Sequence, residues 1–214
     1  MSVLFEIERA IFTKRYSLSS KHQDILSTQS VSMIYSLWEG FVQKSFNFYI
    51  DELNETGIDF YDFCDDIVIH HMESSFKQFK EYPKKDNKKV DFYKSLKNFH
   101  GNRKCIISRV VNTESNVGFN VLNKLLREFA LERFPEHWKD YAHPNPNLRD
   151  SLNLLLRIRN AVAHGGDLIS EDKIDQAVYA RFKNLVADLM YEIRLKMLYG
   201  LEHETFLRSY RALR

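Results

Sequence analysis

The feature that most constrains the fold is a long stretch, from Ser20 to Glu55, that contains no proline and a single glycine, Gly40. Apolar side chains recur along this stretch at roughly helical spacing. Their positions are Ile25, Ile34, Leu37, Phe41, Phe48 and Leu53. Ser19 or Ser20 can cap the start of a helix here, and Gly57 can end it. We therefore predict one unusually long second helix.

The rest of the chain is also poor in residues that form tight turns. Its 214 residues include only seven glycines and four prolines, whereas a sheet protein of this size needs many turns. Apolar spacing predicts further helices over residues 2–16, 59–82, 116–134, 148–164 and 170–199. Residues 83–89 form the most loop-like segment, and residues 91–112 fit either a short helix or an extended segment. We expect an all-α fold, an antiparallel helical bundle forming one domain over residues 1–214, with a helical insertion at roughly 57–115.

Composition limits the classes of function. The charged residues nearly cancel to a formal net charge of +2, which argues against a general polyanion binder but leaves room for a local basic patch. Glu6, Glu8 and Arg9 interrupt the first apolar stretch, so we expect no secretory signal, no membrane contact and a cytoplasmic protein. Cys64 and Cys105 belong to no CxxC pair, which favours two free thiols over one disulfide.

The most informative segment is LLLRIRNAVAHGG, residues 154–166. At helical spacing one stripe of it is apolar and is predicted to face the core: Leu154, Leu155, Ile158, Ala161 and Val162. The opposite side carries uncharged side chains: Asn153, Leu156, Asn160, Ala163 and His164. Asn160 and His164 are four residues apart, so they lie one turn from each other, and Arg159 flanks them. Because a solvated face would carry Lys and Glu, we predict that this side meets another surface.

These side chains suit RNA cleavage. The reaction needs a group that accepts the proton of the 2′-hydroxyl, a group that protonates the leaving 5′-oxygen, and positive charge for the phosphoryl oxygens. His164 can transfer protons near neutral pH, and Arg159 can hold two phosphoryl oxygens at once. Asn160 can hold a phosphate oxygen or orient the imidazole. One protomer supplies a single set, so a two-fold homodimer through the helix 148–164 face would place two such sets around one cleft.

A spacing of five residues between Arg and His arises easily by chance, so the context carries the prediction. Residues 159–165, RNAVAHG, resemble the Arg-x4-6-His motif of the HEPN superfamily, whose active members usually carry Asn after the Arg. Residues 35–42, YSLWEGFV, resemble the Tyr-x-x-Trp-Glu-Gly signature of the stand-alone prokaryotic proteins in the RiboL-PSP-HEPN group. The resemblance covers most of the chain, from the long second helix to the last helix.

The resemblance implies a helical bundle, dimerisation through the motif helix, and a metal-independent endoribonuclease that leaves a 2′,3′-cyclic phosphate. It implies catalytic roles for Arg159 and His164, substrate binding by Asn160, and no metal or cofactor. Members often act in toxin or anti-phage defence systems, so an antitoxin or a regulatory protein is a candidate partner. Toxins paired with nucleotidyltransferase antitoxins tend to carry Tyr two residues after the His, and this chain departs from that pattern with Gly166.

Alternatives to this interpretation rest on the same residues. The helix can belong to a non-catalytic HEPN dimer that binds a protein or a nucleotide. His164 would then only interact with the last carbonyls of its helix, and Arg159 would form an ordinary ion pair. Within Trp38-Glu39-Gly40, packing is the favoured interpretation: Gly40 would admit a neighbouring helix, while Glu39 can bond across that contact or orient Arg159.

Two further clusters invite functional interpretations. Asp65, Asp66, His70 and His71 suggest a metal site, but no third or fourth ligand is evident, so solvated side chains or local salt bridges are favoured. The second cluster is basic and aromatic: Lys84, Lys85, Lys88, Lys89, Tyr82, Phe92 and Tyr93. This cluster is more typical of a solubilising loop than of an RNA-binding surface. The chain has no Walker loop, GxSxG, GxGxxG or HExxH motif to support a kinase, hydrolase or dehydrogenase.

Overall fold

A computed structural model describes residues 2–13, 16–101, 106–114, 116–138, 147–163 and 174–212. Over these ranges the chain is all-α, as predicted, with two isolated bridges and no strand. The helices are α1 (Ser2–Phe12), α2 (Ser20–Glu55), α3 (Asp65–Ser75), α4 (Asp86–Gly101), α5 (Phe119–Glu128), α6 (Leu148–Ala163), α7 (Gln176–Glu202) and α8 (Arg208–Ala212). Short 3-10 helices cover Phe60–Asp62 and Lys77–Phe79. None of these helices combines the length and apolar character needed to cross a bilayer.

Helix α2 confirms the prediction for the longest element. The Ser19 hydroxyl accepts the N–H of His22 at 3.4 Å, and Gly57 adopts a left-handed conformation, with φ of 67°, just beyond the last turn. The apolar stripe was only partly right, because Ile25, Leu37 and Phe48 are exposed, at 50%, 42% and 69%. The buried side chains of α2 that recur at three- and four-residue steps are Val31, Ile34, Tyr35, Trp38, Val42, Phe46, Tyr49, Ile50 and Leu53.

The single helix predicted over residues 59–82 is wrong, since this region divides into a 3-10 turn, α3 and a second 3-10 turn. Asp59 accepts the N–H of Tyr61 at 3.0 Å, which starts the first turn. Cys64 is then extended, and its N–H donates to the carbonyl of Phe206 at 2.8 Å. A contact with such a distant segment leaves no local mark in the sequence. Cys64 is a buried free thiol, while Cys105 lies outside the described residues.

The next stretch also differs in part from prediction. The loop expected over residues 83–89 ends early, because α4 begins at Asp86, whose carboxylate lies 3.0 Å from the Lys89 ammonium one turn later. Acidic residues stabilise the first turn of a helix, which explains the start at this aspartate. Of residues 91–112, left open between helix and extended chain, those up to Gly101 continue α4, and residues 106–112 have no regular secondary structure.

Side chains of α2 and α3 bind the backbone of the irregular segment 106–112. The Asn54 amide accepts the N–H of Ile107 at 2.7 Å and donates to its carbonyl at 3.2 Å. The N–H of Ser108 donates to Nδ1 of His71 at 3.0 Å, and Nε2 of His70 lies 3.2 Å from the Ser108 carbonyl. The backbone groups of two successive residues are therefore paired without a sheet.

The remaining helices follow the predictions with shifted ends. Helix α5 is shorter than expected because Ala130 adopts a left-handed conformation, with φ of 59°, and the N–H of Leu131 returns to the carbonyl of Leu126 at 2.8 Å. Helix α6 spans nearly all of the predicted residues 148–164. Helix α7 runs past its predicted end to Glu202, and its expected start at Ser170 lies outside the described residues.

The chain forms two compact units. The first comprises Met1–Lys44, Thr113–Asn123 and Phe134–Arg194, and the second comprises Ser45–Asn112, Lys124–Arg133 and Leu195–Arg214. The core of the first includes Trp38, Leu122, Leu155, Phe182 and Leu189. The core of the second includes Phe46, Tyr49, Phe60, Phe129 and Phe206. The single domain with an insertion at 57–115 stays a prediction.

Two glycines give opposite predictions for stability. A methyl group at Gly40 would meet nothing within 4 Å among the described residues, so the expected close approach of a helix is not found there. At Gly118 it would lie 2.6 Å from Cδ1 of Leu156. We expect Gly40→Ala to raise the free energy of unfolding by up to about 1 kcal/mol, because Ala favours helix. We expect Gly118→Ala to lower it by about 1–3 kcal/mol through overpacking.

Urea unfolding of both variants measures these effects. In a Leu156→Ala background, Gly118→Ala should cost less stability than it does in the wild-type protein, because the clashing atom is absent. Equal costs of Gly118→Ala with and without Leu156 would contradict the close contact.

Stability should also fall in acid because of His71. Burial, and secondly the neighbouring His70, lowers the pKa of His71 to about 4, and its Nδ1 accepts a backbone N–H only when unprotonated. The unfolded chain therefore takes up a proton near pH 6.5 that the folded chain takes up only near pH 4. The stabilisation is complete above pH 6.5 and should decline by on the order of 2 kcal/mol as the pH falls to 4.

The matched variant is His71→Asn, whose side-chain oxygen can still accept the Ser108 N–H but does not titrate. Urea unfolding of both proteins at pH 7 and pH 4.5 should show a smaller loss for the variant. An identical loss in both proteins would exclude His71 as the source.

Candidate functional site

Helix α6 carries Arg159, and its buried face sets where that side chain points. The buried residues of α6 are Leu148, Ser151, Leu152, Leu155 and Ile158. The predicted core stripe was right for Leu155 and Ile158 but wrong for Leu154, Ala161 and Val162, which are only half-buried. Ser151, a polar residue that the apolar pattern leaves out, also lies on the core face, and its hydroxyl donates to the Asn147 carbonyl at 3.0 Å. A hydroxyl satisfied in this way can be buried at little cost.

The guanidinium of Arg159 is fixed by four neighbours in the first unit. Its NH1 donates to Oδ1 of Asn160 at 2.7 Å and to Oδ1 of Asn116 at 3.3 Å. Its central carbon lies 4.5 Å from the ring centroid of Tyr35, a cation–π contact. Its NH2 lies 3.9 Å from Oε2 of Glu39, close enough for attraction but too far for a hydrogen bond. The Arg159 side chain is only 23% exposed.

The loop that contains Asn116 is shaped by side chains of α2. The N–H of Val117 donates to the Tyr35 hydroxyl at 2.7 Å, and Nε1 of Trp38 donates to the Val117 carbonyl at 2.9 Å. The backbone of one loop residue is therefore held on both sides by buried aromatic side chains. Burial raises the pKa of Tyr35, so its hydroxyl stays neutral. This clamp fixes the loop from which Asn116 reaches Arg159.

A second set of contacts fixes Glu39. The Thr113 hydroxyl donates to Oε1 of Glu39 at 3.3 Å and accepts from Nε2 of Gln43 at 3.2 Å. One carboxylate oxygen is thus engaged by the loop, while the other lies nearer Arg159. Of the two uses considered for Glu39, the contact with Arg159 is present. The motif at residues 35–42 therefore supports Arg159 of the motif at residues 159–165, through Tyr35, Trp38 and Glu39.

Asn160 has a defined orientation. A guanidinium only donates hydrogen bonds, so the amide atom 2.7 Å from Arg159 must be the oxygen, and Nδ2 points away from it. Among the described residues Nδ2 of Asn160 has no hydrogen-bond partner. It is therefore a donor that can bind a phosphate oxygen or an imidazole nitrogen.

The remaining motif residues lie outside the part of the chain that the structure describes. His164 follows Ala163, the last residue of α6, and together with Gly165 and Gly166 it falls in the range left undescribed. Arg159 and Asn160 are brought together, and Tyr35 and Glu39 join them. Sequence reasoning missed Asn116 and Thr113, because no spacing pattern connects two loop residues with helices this distant in sequence.

The uncharged side of α6 is partly engaged within its own chain. Leu156 packs against Gly118, and Oδ1 of Asn153 lies 4.0 Å from the place of the missing methyl group. Asn160 is bonded to Arg159, whereas Ala163 is exposed. The unusual composition of this side therefore has an intramolecular explanation in part, and dimerisation through it stays a prediction.

The cluster on α3 consists of local pairs. Asp65 lies 2.8 Å from Arg208, and Asp66 lies 2.5 Å from Arg211. Nδ1 of His70 lies 3.4 Å from a carboxylate oxygen of Glu128. Within the described ranges no group of three or more His, Cys, Asp or Glu side chains is arranged to hold a metal ion. Salt bridges are thus the interpretation that the geometry favours.

A polar groove of about 880 Å³ lies in the second unit. Its charged lining residues are Lys77, Lys80, Lys124, Glu73, Glu81 and Glu128, together with His70. Lysines and glutamates are equal in number, so the groove offers no net attraction for a polyanion. We do not assign the groove a role.

Comparison with known proteins gives one match. The family model described as RiboL-PSP-HEPN matches residues 4–198, a range that contains both motifs. Searches of curated proteins and of solved structures each found no significant match.

The clamp on Val117 predicts a local effect of Tyr35→Phe. Removing the hydroxyl leaves a buried N–H without its acceptor, so we expect a loss of about 1–3 kcal/mol in the free energy of unfolding. Amide hydrogen exchange should quicken at residues 113–118. The matched control is Tyr179→Phe, which removes a buried hydroxyl bonded to the Leu4 carbonyl at 2.9 Å and should leave exchange in that loop unchanged. Equal protection of Val117 in wild type and Tyr35→Phe would rule out the clamp.

Proposed function

The chain belongs to the RiboL-PSP-HEPN family, and on that premise we propose that it is a metal-independent endoribonuclease acting as a homodimer. The observation that carries the proposal is the placement of Arg159. Among the described residues its guanidinium contacts a ring and two amide oxygens, and the Glu39 carboxylate lies 3.9 Å away. These contacts hold the guanidinium, which can bind two phosphate oxygens at once, in a defined orientation beside Asn160.

The proposed reaction is an internal transesterification. The 2′-oxygen of a ribose attacks the adjacent phosphorus, and the bond from phosphorus to the 5′-oxygen breaks. One imidazole accepts the proton of the 2′-hydroxyl, and an imidazolium supplies a proton to the leaving 5′-oxygen, so that His164 serves both transfers. Arg159 stabilises the charge on the phosphoryl oxygens, and Nδ2 of Asn160 positions the phosphate or the imidazole. The products are a 2′,3′-cyclic phosphate and a 5′-hydroxyl.

The homodimer supplies the second proton-transfer group. An acid and a base are both required, whereas each protomer has one motif His. Two copies paired through the helix 148–164 face would bring two Arg159 and two His164 to one cleft. The reaction itself therefore favours a shared site.

The family association also suggests a biological role. We propose a cytoplasmic toxin or anti-phage effector whose activity an antitoxin or another regulatory protein restrains. Gly166, in place of the expected Tyr, favours a regulator other than a nucleotidyltransferase antitoxin.

A second candidate function is a non-catalytic HEPN dimer that binds a protein or a nucleotide. The observation that favours it is the engagement of Arg159, which joins α6 to α2 and to the Asn116 loop. An arginine in such contacts can be retained for packing alone. Stable capture of a partner without RNA cleavage by the wild-type protein would support this function.

The decisive variant is His164→Ala. We expect a fall of about 10²- to 10⁴-fold in the cleavage rate of single-stranded RNA in EDTA, because proton transfer is lost. Mass spectrometry of wild-type products should show 2′,3′-cyclic phosphate ends. Arg159→Lys, which keeps the charge but loses the fork, should also lower the rate. Undiminished cleavage by both variants would refute the assignment.

A mixed-dimer experiment tests the shared cleft. Wild-type and His164→Ala chains are refolded together at varied ratios. The cleavage activity should be proportional to the square of the wild-type fraction, since only dimers with two imidazoles cleave. Independent sites would give a linear loss. A linear result combined with an inactive His164→Ala homodimer would keep the nuclease and exclude the shared cleft.

A further inference from the structure

We propose that residues 82–97, here called the basic arm, bind single-stranded RNA through lysine ammonium groups and two exposed tyrosine rings. The arm comprises the four residues that precede α4 and most of α4 itself. The choice of RNA as the ligand rests on the proposed function, whereas the binding surface is argued from the arm's own charge and exposure.

Charge is concentrated in the arm. It contains six lysines and two aspartates, a formal charge of +4 in a chain whose total is +2. Only Lys88 and Lys89 lie near those aspartates, at 3.8 Å from Asp91 and 3.0 Å from Asp86. The other four are exposed, and none has a carboxylate within 4.0 Å in the described part of the chain: Lys84, Lys85, Lys94 and Lys97. The arm is therefore a local source of positive potential that the net charge conceals.

The tyrosines supply stacking surfaces. Tyr82 is 66% exposed and Tyr93 is 68% exposed, unusually open for aromatic side chains. The Tyr82 ring makes an edge contact with Phe92 at 6.4 Å between centroids, which supports it without covering both faces. Exposed aromatic rings among lysines are the combination that binds unpaired bases and the phosphates between them.

Helix α4 is anchored so that these groups face solvent. Phe92 is buried, with the rings of Phe76 and Phe79 at 6.2 Å and 5.5 Å. Phe99, seven residues on and thus on the same side of the helix, lies 5.1 Å from Phe60. Tyr93 and Lys97 are four residues apart on a different side, one turn from each other. The packed aromatic side fixes the helix, and the exposed side presents one ring beside one ammonium.

Single-stranded RNA fits this surface better than a lipid membrane or a duplex. A helix that lies in a bilayer surface needs a continuous apolar face, whereas α4 exposes only Tyr93 and Val90 among its large apolar side chains. In a duplex the faces of the bases are stacked on one another and are closed to tyrosine rings. The arm should therefore prefer unpaired strands.

Binding of a fluorescent 20-nucleotide single-stranded RNA, measured by anisotropy, tests the arm. The protein carries His164→Ala so that the RNA stays intact. Tyr82→Ala with Tyr93→Ala should weaken binding by about 5- to 100-fold through lost stacking. Lys94→Gln with Lys97→Gln should reduce the slope of log affinity against log salt by about 1.4, which corresponds to two phosphate contacts.

Matched controls lie elsewhere on the surface. Tyr191→Ala removes a ring that is 60% exposed, and Lys21→Gln with Arg194→Gln removes the same charge from exposed positions outside the arm. Circular dichroism checks that every variant is folded. If the controls weaken binding as much as the arm variants do, the effect is general charge or surface area and the proposal is overturned.

The failure of this proposal is distinguishable from that of the nuclease. In an otherwise wild-type chain, arm variants should cleave long RNA with lower kcat/KM but a dinucleotide at the wild-type rate. If the wild-type chain cleaves no RNA but the arm variants bind RNA more weakly than it does, RNA binding by the arm is supported and the nuclease is rejected. Unchanged RNA binding would overturn the arm, and loss of binding to phosphatidylserine vesicles in the same variants would then assign it to acidic lipid.

Discussion

The site depends on how the positive charge of Arg159 is accommodated. A guanidinium that is three-quarters buried must recover the solvation it loses, and a close carboxylate pair would be the simplest way to do so. Here the face of Tyr35 and the amide oxygens of Asn116 and Asn160 contribute to that role, and the Glu39 carboxylate lies 3.9 Å away. These contacts hold the cation in a defined orientation. For a group proposed to meet a phosphate, this preorganisation is the useful property.

The surroundings of Arg159 also explain why two motifs far apart in sequence occur together. The loop bearing Asn116 has no regular structure, so its shape has to come from outside it. Tyr35 and Trp38 hold the two backbone groups of Val117, and Glu39 holds the Thr113 hydroxyl. A substitution of any of these three α2 side chains would disturb the position of Arg159, either through the loop or directly. The aromatic signature is thus a support for the arginine rather than a separate site.

Sequence reasoning succeeded where the determining contacts were local. The bounds of α2 follow from a cap at Ser19 and a left-handed Gly57, and those of α6 from its periodicity. It failed where distant segments decide: Cys64 is extended because it pairs with Phe206, so residues 59–82 do not form one helix. Counting only apolar residues also left Ser151 out of the core face of α6, where its hydroxyl is satisfied by a carbonyl one turn earlier. Asn116, a partner of Arg159 from a loop, has no periodic signal at all.

A near-neutral chain can still bind a polyanion if its charge is unevenly placed, and the basic arm is proposed to do so. Affinity supplied by lysines and tyrosines outside the motif is felt equally by substrate and transition state, so it lowers KM without changing the chemical step. Arg159 can then act selectively on the charge that develops at phosphorus, because it is not needed to retain the strand. Tight ground-state binding by the motif arginine would work against turnover, since the cyclic phosphate product would be held as firmly as the substrate. Placing affinity in one group of residues and charge stabilisation in another avoids that conflict.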